Sequence, residues 1–393
     1  MAVGRASQVE AEWRPAVTLD CGAQAILPGL VNCHVHAGMS LLKGRAGDRT
    51  LQQREVIWPF VEAITEKASY IGTRLACLQM MKSGITTFAD MWPFPDANAE
   101  AVKSTGLRAV LAPYGRTYAT GEIEALVSAT QRWNDPRLMP AIGIHSLRAC
   151  ASETLHGAAE VARTHGLRVH MHAGENREDF KDGHDLFEID ALGLLRPGTI
   201  LAGCIHFTKE EIDLAVERGS GVAHNPISNA QFGIGFAPLT QLMRRMPVGL
   251  GTDIAGADGH HDLFDEARMA VLADRGRGAV PALGPEDALT MATIGGAGVL
   301  GLDRLIGSLE AGKRADVSTV DLDDPRFIPL DRDRPEQILS HLLFVAASAD
   351  VDTVIVDGQV VVRGGNVVNL DEEEIMSQGR EISITCLAKA RLA

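Results

Sequence analysis

The chain has 393 residues, with 37 Lys and Arg against 51 Asp and Glu, a formal net charge of −14. At about 150 residues per domain this length fits two domains or one large domain with an appendage, and 46% hydrophobic against 22% charged residues excludes a disordered chain. The acidic balance argues against a nucleic-acid or anionic-membrane surface, and no apolar run approaches the roughly 20 residues of a membrane span. The start of the chain lacks the charged beginning and apolar middle of a secretory signal. The six cysteines are scattered without a Cys-x-x-Cys pair, which reads as reduced thiols in a cytoplasmic protein.

In chain order, Ala16 to Ile26 reads as two short strands. Eight apolar runs follow: Gly29 to His36, Gly84 to Met91, Leu107 to Tyr114, Ala141 to Ser146, Leu167 to His172, Thr199 to His206, Gly221 to Asn225, and Val248 to Asp253. Patterns at helical spacing, such as Tyr70, Leu75, Leu78 and Met81, lie between them. Alternating strands and helices imply parallel strands joined by crossovers. Eight such units match a (β/α)8 TIM barrel over residues 27–302 better than a doubly wound sheet, which would not normally place polar residues at nearly every strand end. Ala315 to Val368 contains short β-type runs, with an Asp357-Gly358 hairpin signal inside Val351 to Val362. Residues 1–26 and 303–393 are therefore expected to build a small β-sandwich domain from both termini. The acidic run Asp371 to Glu374 is expected to begin a solvated terminal helix, and Gly295 to Gly298, without a P-loop lysine, to mark tight helix packing.

The chemistry-bearing residues cluster at strand ends. His34 and His36 lie two apart, so both imidazoles project from one face of the first barrel strand. His172 ends the fifth run with Glu175 three residues on, and His170 lies two before it. Either histidine is a possible ligand by type, and the strand-end position and the Glu175 spacing favour His172. Asp253 closes the eighth run, His206 the sixth and His145 the fourth. A neutral imidazole binds a divalent ion, and a nearby carboxylate can move the protons of a water. Each residue alone has a structural explanation, a helix cap or a buried hydrogen bond. Metal-type and proton-transfer residues at one rim on strands one, five, six and eight make a joint pattern that favours a metal site.

The segments Leu27-Pro28-Gly29-Leu30-Val31-Asn32-Cys33-His34-Val35-His36, His172-Ala173-Gly174-Glu175, His224-Asn225-Pro226-Ile227-Ser228-Asn229, Gly251-Thr252-Asp253 and Gly307 to Asp316 together resemble the amidohydrolase superfamily, in its branch of deaminases and triazine hydrolases. The resemblance implies that His34, His36, His172 and Asp253 hold one divalent ion, zinc ahead of iron. It also implies that Glu175 shuttles protons, His206 and Asp253 handle the attacking water, and His145 contacts substrate. The fourth strand ends in His145, not in the lysine that bridges two metals in some relatives, so one ion is expected. Trp92 and Arg148 are further substrate-binding candidates, by stacking and by bidentate contact. Where adenosine-type deaminases carry a ribose-binding glutamate after a Trp-Pro-like element, this chain has Val61, with Glu62 one residue late. The expected activity is a metal-dependent aminohydrolase acting on a small-molecule substrate, an amino-substituted nitrogen heterocycle such as a nucleobase, pterin or nucleoside. The alternatives are a chlorohydrolase or triazine hydrolase using the same site, a cyclic-imide hydrolase, and a non-catalytic barrel relative. The resemblance leaves room for a homo-oligomer. The tract Asp258-Gly259-His260-His261-Asp262 is expected to form a pocket-shaping loop after the eighth strand.

Overall fold

In the computed structural model, which describes residues 3–15, 17–45, 53–115, 117–175, 185–254 and 260–392, a short strand β1 (Ala25–Pro28) leads into eight parallel strands. These are β2 (Leu30–Val35), β3 (Ile85–Asp90), β4 (Arg108–Leu111), β5 (Leu138–Ser146), β6 (Arg168–Ala173), β7 (Ile200–Gly203), β8 (Gly221–His224) and β9 (Val248–Leu250), paired in sequence order. Each falls on one of the apolar runs, and all eight carry buried side chains, as parallel strands covered on both faces must. Helices cross between successive strands. Lys209–Arg218, for example, starts at a reciprocal cap in which Thr208 Oγ1 accepts from Glu211 N and Glu211 Oε2 accepts from Thr208 N, and ends at Gly219 with φ +69°.

Closure between β9 and β2 is made just beyond the end of β9. Asp253 N and Thr252 N both donate to His34 O at 3.0 Å, and His36 N donates to Asp253 O at 3.1 Å. Gly251 is required there, because a Cβ would lie 2.3 Å from Asn225 Oδ1 and 2.9 Å from His34 O. The result is the (β/α)8 barrel expected from the sequence.

The termini meet in a five-stranded antiparallel sheet in the order β1, β10 (Val317–Val320), β11 (Val351–Val356), β12 (Gln359–Arg363), β13 (Asn366–Val367). Asp357 and Gly358, at φ +50° and +81°, make the predicted hairpin turn between β11 and β12. The N-terminal segment supplies one strand to this sheet among the described residues, not two. Ala6–Glu12 is a short helix, and directly before β1 the chain makes a turn in which Gly22 N donates to Asp20 Oδ1 and Gln24 N to Cys21 O. A helix, Pro335–Phe344, interrupts the span read as β-type. Proline opens it, Leu342 and Leu343 are buried, and Arg268 caps its end by donating to Leu343 O and Ala346 O. The acidic run does begin the terminal helix Glu372–Lys389, with Asp371 Oδ1 accepting from Glu374 N, but Ile375, Cys386 and Leu387 bury one side of it. Gly296 marks tight packing, since a Cβ would sit 3.0 Å from Val31 Cβ and 3.1 Å from Cys33 Sγ.

Barrel and sheet are locked by a buried ion pair. Arg108 Nε and Nη2 each donate to Asp316 at 3.1 Å, with side-chain exposures of 2% and 1%. Asp316 also accepts from Asp357 N through Oδ1 and from Gly29 N through its carbonyl. Breaking a buried pair leaves one charge uncompensated, so Asp316→Ala is expected to lose about 3–5 kcal/mol in urea denaturation. The double change Arg108→Met with Asp316→Leu should recover a large part of that loss.

Candidate metal centre

Because side chains alternate along a strand, Asn32, His34 and His36 share one face of β2 and its end, and His170 and His172 share one face of β6. The barrel brings these two opposite strands together. His34 lies with ring centroids 4.9 Å from His36 and His170 and 4.8 Å from His172, and is fully buried. Asp253 joins them from the β9 end with φ +50°, a left-handed backbone that turns its carboxylate back over β2. Asp253 Oδ1 lies 3.2 Å from His34 Nε2 and 3.3 Å from His36 Nε2, and Oδ2 accepts from Ser228 Oγ at 2.6 Å. One ligand-type atom from each of His34, His36, His172 and Asp253 falls within 4.8 Å of the others, a span one ion with bonds of about 2.0–2.2 Å can draw together. The four expected metal ligands are thus brought to one place.

The hydrogen-bond partners of the rings suit that use. His36 Nδ1 is 2.7 Å from Met91 O and His172 Nδ1 is 2.6 Å from His145 O. Carbonyl oxygens only accept, so both rings donate from Nδ1 and turn Nε2 toward the cluster. Burial pushes His34 down to about 3 and His170 well below the usual imidazole range, keeping both neutral. At Asp253 burial favours protonation, but the hydrogen bonds with His34 and His36 outweigh it and hold the carboxyl well below its usual range. One carboxylate among three imidazoles is the donor set a divalent cation needs.

Further buried polar groups brace the centre from behind. Asn32 Nδ2 donates to Thr252 Oγ1 at 2.8 Å, and His261 Nδ1 is 2.9 Å from the same oxygen while its Nε2 is 3.3 Å from Ser40 Oγ. His261 therefore ties the segment after β9 to the short 3-10 helix Ala37–Leu42. Asp258 and Gly259 of the predicted loop lie outside the described residues. His260, Asp262 and Asp265 form a second group with converging atoms. Their oxygens are already used: Asp262 caps Leu263–Gly276 and accepts from Ser348 N, and Asp265 pairs with His260 and Arg268.

A small pocket stands over the cluster. His36, His145, His172, Glu175 and Asp253 form its polar wall, and Met39, Ile57, Trp58, Tyr114 and Ile254 its apolar one. His145 serves twice, since its carbonyl orients His172 while its ring stands 4.7 Å from the His172 ring and 4.8 Å from Trp58. His206 is half-buried at the rim beyond β7. Its backbone N–H donates to Gly174 O, beside Glu175, but its ring is neither in the cluster nor in the cavity wall.

Two expected substrate contacts lie elsewhere. Trp92 is 1% exposed, with its indole packed on Gly38 and edge-on to His36, so it supports the wall from outside. Arg148 is held in ion pairs with Asp185 and Glu188 at 2.8 and 2.9 Å. Glu62 is exposed on the helix Trp58–Ala63, and neither it nor Val61 reaches the cavity wall. Trp58 and Tyr114, which do, were not singled out as contacts from the sequence.

A profile of the Amidohydrolase family matches residues 25–361. The chain is 38% identical over 392 residues to the 5-methylthioadenosine/S-adenosylhomocysteine deaminase of Moorella thermoacetica, covering 96% of this chain and 90% of that protein. It is 33% identical to the 5′-deoxyadenosine deaminase of Methanocaldococcus jannaschii, covering 93% and 90%. A solved adenosine deaminase from Xanthomonas campestris with bound zinc superposes with a TM-score of 0.90 at 29% identity, over 98% of this chain and 90% of that one. Among the described residues no helix is long and apolar enough to cross a membrane.

The buried histidines set the acid response of the metal-free protein. His34, His224 and His261 are pushed down to about 3 by burial, and His170 is lowered likewise. An unfolded histidine titrates near 6.5, so unfolding takes up protons between about pH 3 and 6.5 and stability falls as pH drops through that window. Asp90, raised to about 7 by burial, acts oppositely, with stability present at low pH and lost as pH rises toward 7. With four such histidines against one such aspartate, the urea midpoint of chelator-treated protein is expected to be lower at pH 5 than at pH 7.

Proposed function

The chain belongs to the amidohydrolase family, and we propose that it is a hydrolytic deaminase using one divalent ion, zinc ahead of iron, to replace the amino group of a planar nitrogen heterocycle by oxygen. Adenosine-type nucleosides come first as substrates, because relatives at 33–38% identity carry such names. The carrying observation is that Glu175 stands in the same cavity wall as His36, His172 and Asp253. A structural metal site has no use for a fifth ionisable group in the wall of the pocket beside it.

His34, His36, His172 and Asp253 would hold the ion, which would supply one thing when bound, lowering the pKa of a water from 15.7 to about 7. Asp253, fixed by Ser228 and ionised in this setting, would accept a proton from the attacking water. Glu175 gives a proton to the ring nitrogen beside the amino-bearing carbon, which makes that carbon accept the water oxygen, and regains a proton from the hydroxyl of the adduct as the carbonyl forms. The carbon–nitrogen bond then breaks, and the amine leaves as ammonia with a proton returned from the carboxylates. Trp58, Tyr114 and His145 present ring faces and edges suited to a flat substrate. His206, whose ring stands outside the cluster and the cavity wall, takes no step in this scheme.

Ammonia release from adenosine, 5′-deoxyadenosine, a methylthio-substituted adenosine, guanine and a pterin tests the proposal, with chloride release from a chlorotriazine run in parallel. Ammonia without chloride is expected, and chloride alone would transfer the site to the halide reaction. Glu175→Gln should lose about 10²–10⁴-fold in kcat while retaining wild-type metal content. His172→Ala should lose the metal itself.

A further inference from the structure

The three imidazoles of the centre are not oriented in the same way. His36 and His172 each turn Nδ1 to a backbone carbonyl, so their hydrogen position is settled by oxygens that cannot donate. His34 has no such oxygen. Its Nδ1 lies 2.7 Å from Nε2 of His170, a side chain able to donate or accept, and its Nε2 lies 3.2 Å from Asp253 Oδ1. His170 is fully buried, and among the described residues its own Nδ1 has no hydrogen-bond partner.

Two arrangements satisfy the 2.7 Å contact. In one, His170 Nε2–H donates to His34 Nδ1. His34 then carries its hydrogen on Nε2, donates it to Asp253, and has no lone pair free for a cation. In the other, His34 Nδ1–H donates to a bare His170 Nε2. His34 Nε2 is then free, and the hydrogen of His170 sits on Nδ1, where nothing accepts it. Neither arrangement changes the net charge. The first satisfies more hydrogen bonds without a cation, and the second is the one that can bind it.

We propose that His170 is the positioning residue that sets the tautomer of His34, and that cation binding drives the pair from the first arrangement to the second. This rests on the metal-centre reading above. It gives His170, which touches neither substrate nor ion, control over whether the fourth ligand is available. It also gives a role to a ring nitrogen left unpaired in a buried interior, where such groups are rare.

The test compares wild type, His170→Leu and His170→Gln, with zinc affinity read by competition against a chromophoric chelator and folding by melting of the metal-free proteins. Leucine removes the acceptor, so a zinc affinity about 10–100-fold weaker is expected. Glutamine restores an acceptor and should recover most of the loss. Nitrogen-15 spectra of histidine-labelled wild type give a second reading that needs no variant. The His34 hydrogen should move from Nε2 to Nδ1 on zinc loading, and that of His170 from Nε2 to Nδ1. Wild-type affinity in the leucine variant, equal losses with leucine and glutamine, or no tautomer change on loading would overturn the inference while leaving the centre intact. A wild-type protein that takes up no zinc would overturn the centre and the inference together.

Discussion

The backbone bonds between His34, His36 and Asp253 are the point on which the rest depends. They close the barrel, and they also deliver the carboxylate to the imidazoles. An aspartate in the left-handed region is costly unless its surroundings over-determine it. Here they do: two amide donors and one carbonyl fix its backbone, Ser228 fixes one oxygen, and Gly251 leaves the space in which the turn is made. Fold and site are therefore one constraint. Loss of the closure would scatter the donors, and loss of the donors would leave a buried anion beside neutral rings.

Around that point, the buried polar groups separate into layers with different work. His36 and His172 are oriented by main-chain carbonyls, which cannot be changed by substitution of the accepting residue. His34 is oriented by a side chain, as is Thr252 through Asn32 and His261. The centre thus combines two fixed ligands with one adjustable ligand. The apolar wall of Met39, Ile57, Trp58, Tyr114 and Ile254 lowers the local dielectric, strengthening the interaction of Glu175 and Asp253 with any charge that develops there.

Much of this was legible in the sequence, because strand periodicity is local. His34 with His36, and His172 at the end of its run, follow from the two-residue alternation. Asp253 follows from its place at the end of an apolar strand. All eight barrel strands fall on runs visible as such. What was not legible depends on direction in three dimensions. Trp92 and Trp58 each stand near the mouth, but only packing decides that Trp92 backs the wall while Trp58 lines it. Arg148 reads as a free cation until Asp185 and Glu188, far along the chain, are found beside it. His170 looked like a bland interior histidine, since its contact with His34 spans 136 residues of sequence. The Pro335–Phe344 helix had a proline start and an apolar pair, signals outweighed by the β-type runs around it.

A crystal of the protein grown with zinc, measured on both sides of the zinc absorption edge, tests the central claim most directly. The account predicts a single anomalous peak at about 2.0–2.2 Å from Nε2 of His34, His36 and His172 and from a carboxylate oxygen of Asp253. A peak at His260, Asp262 and Asp265 instead, or none at the barrel mouth, would contradict it.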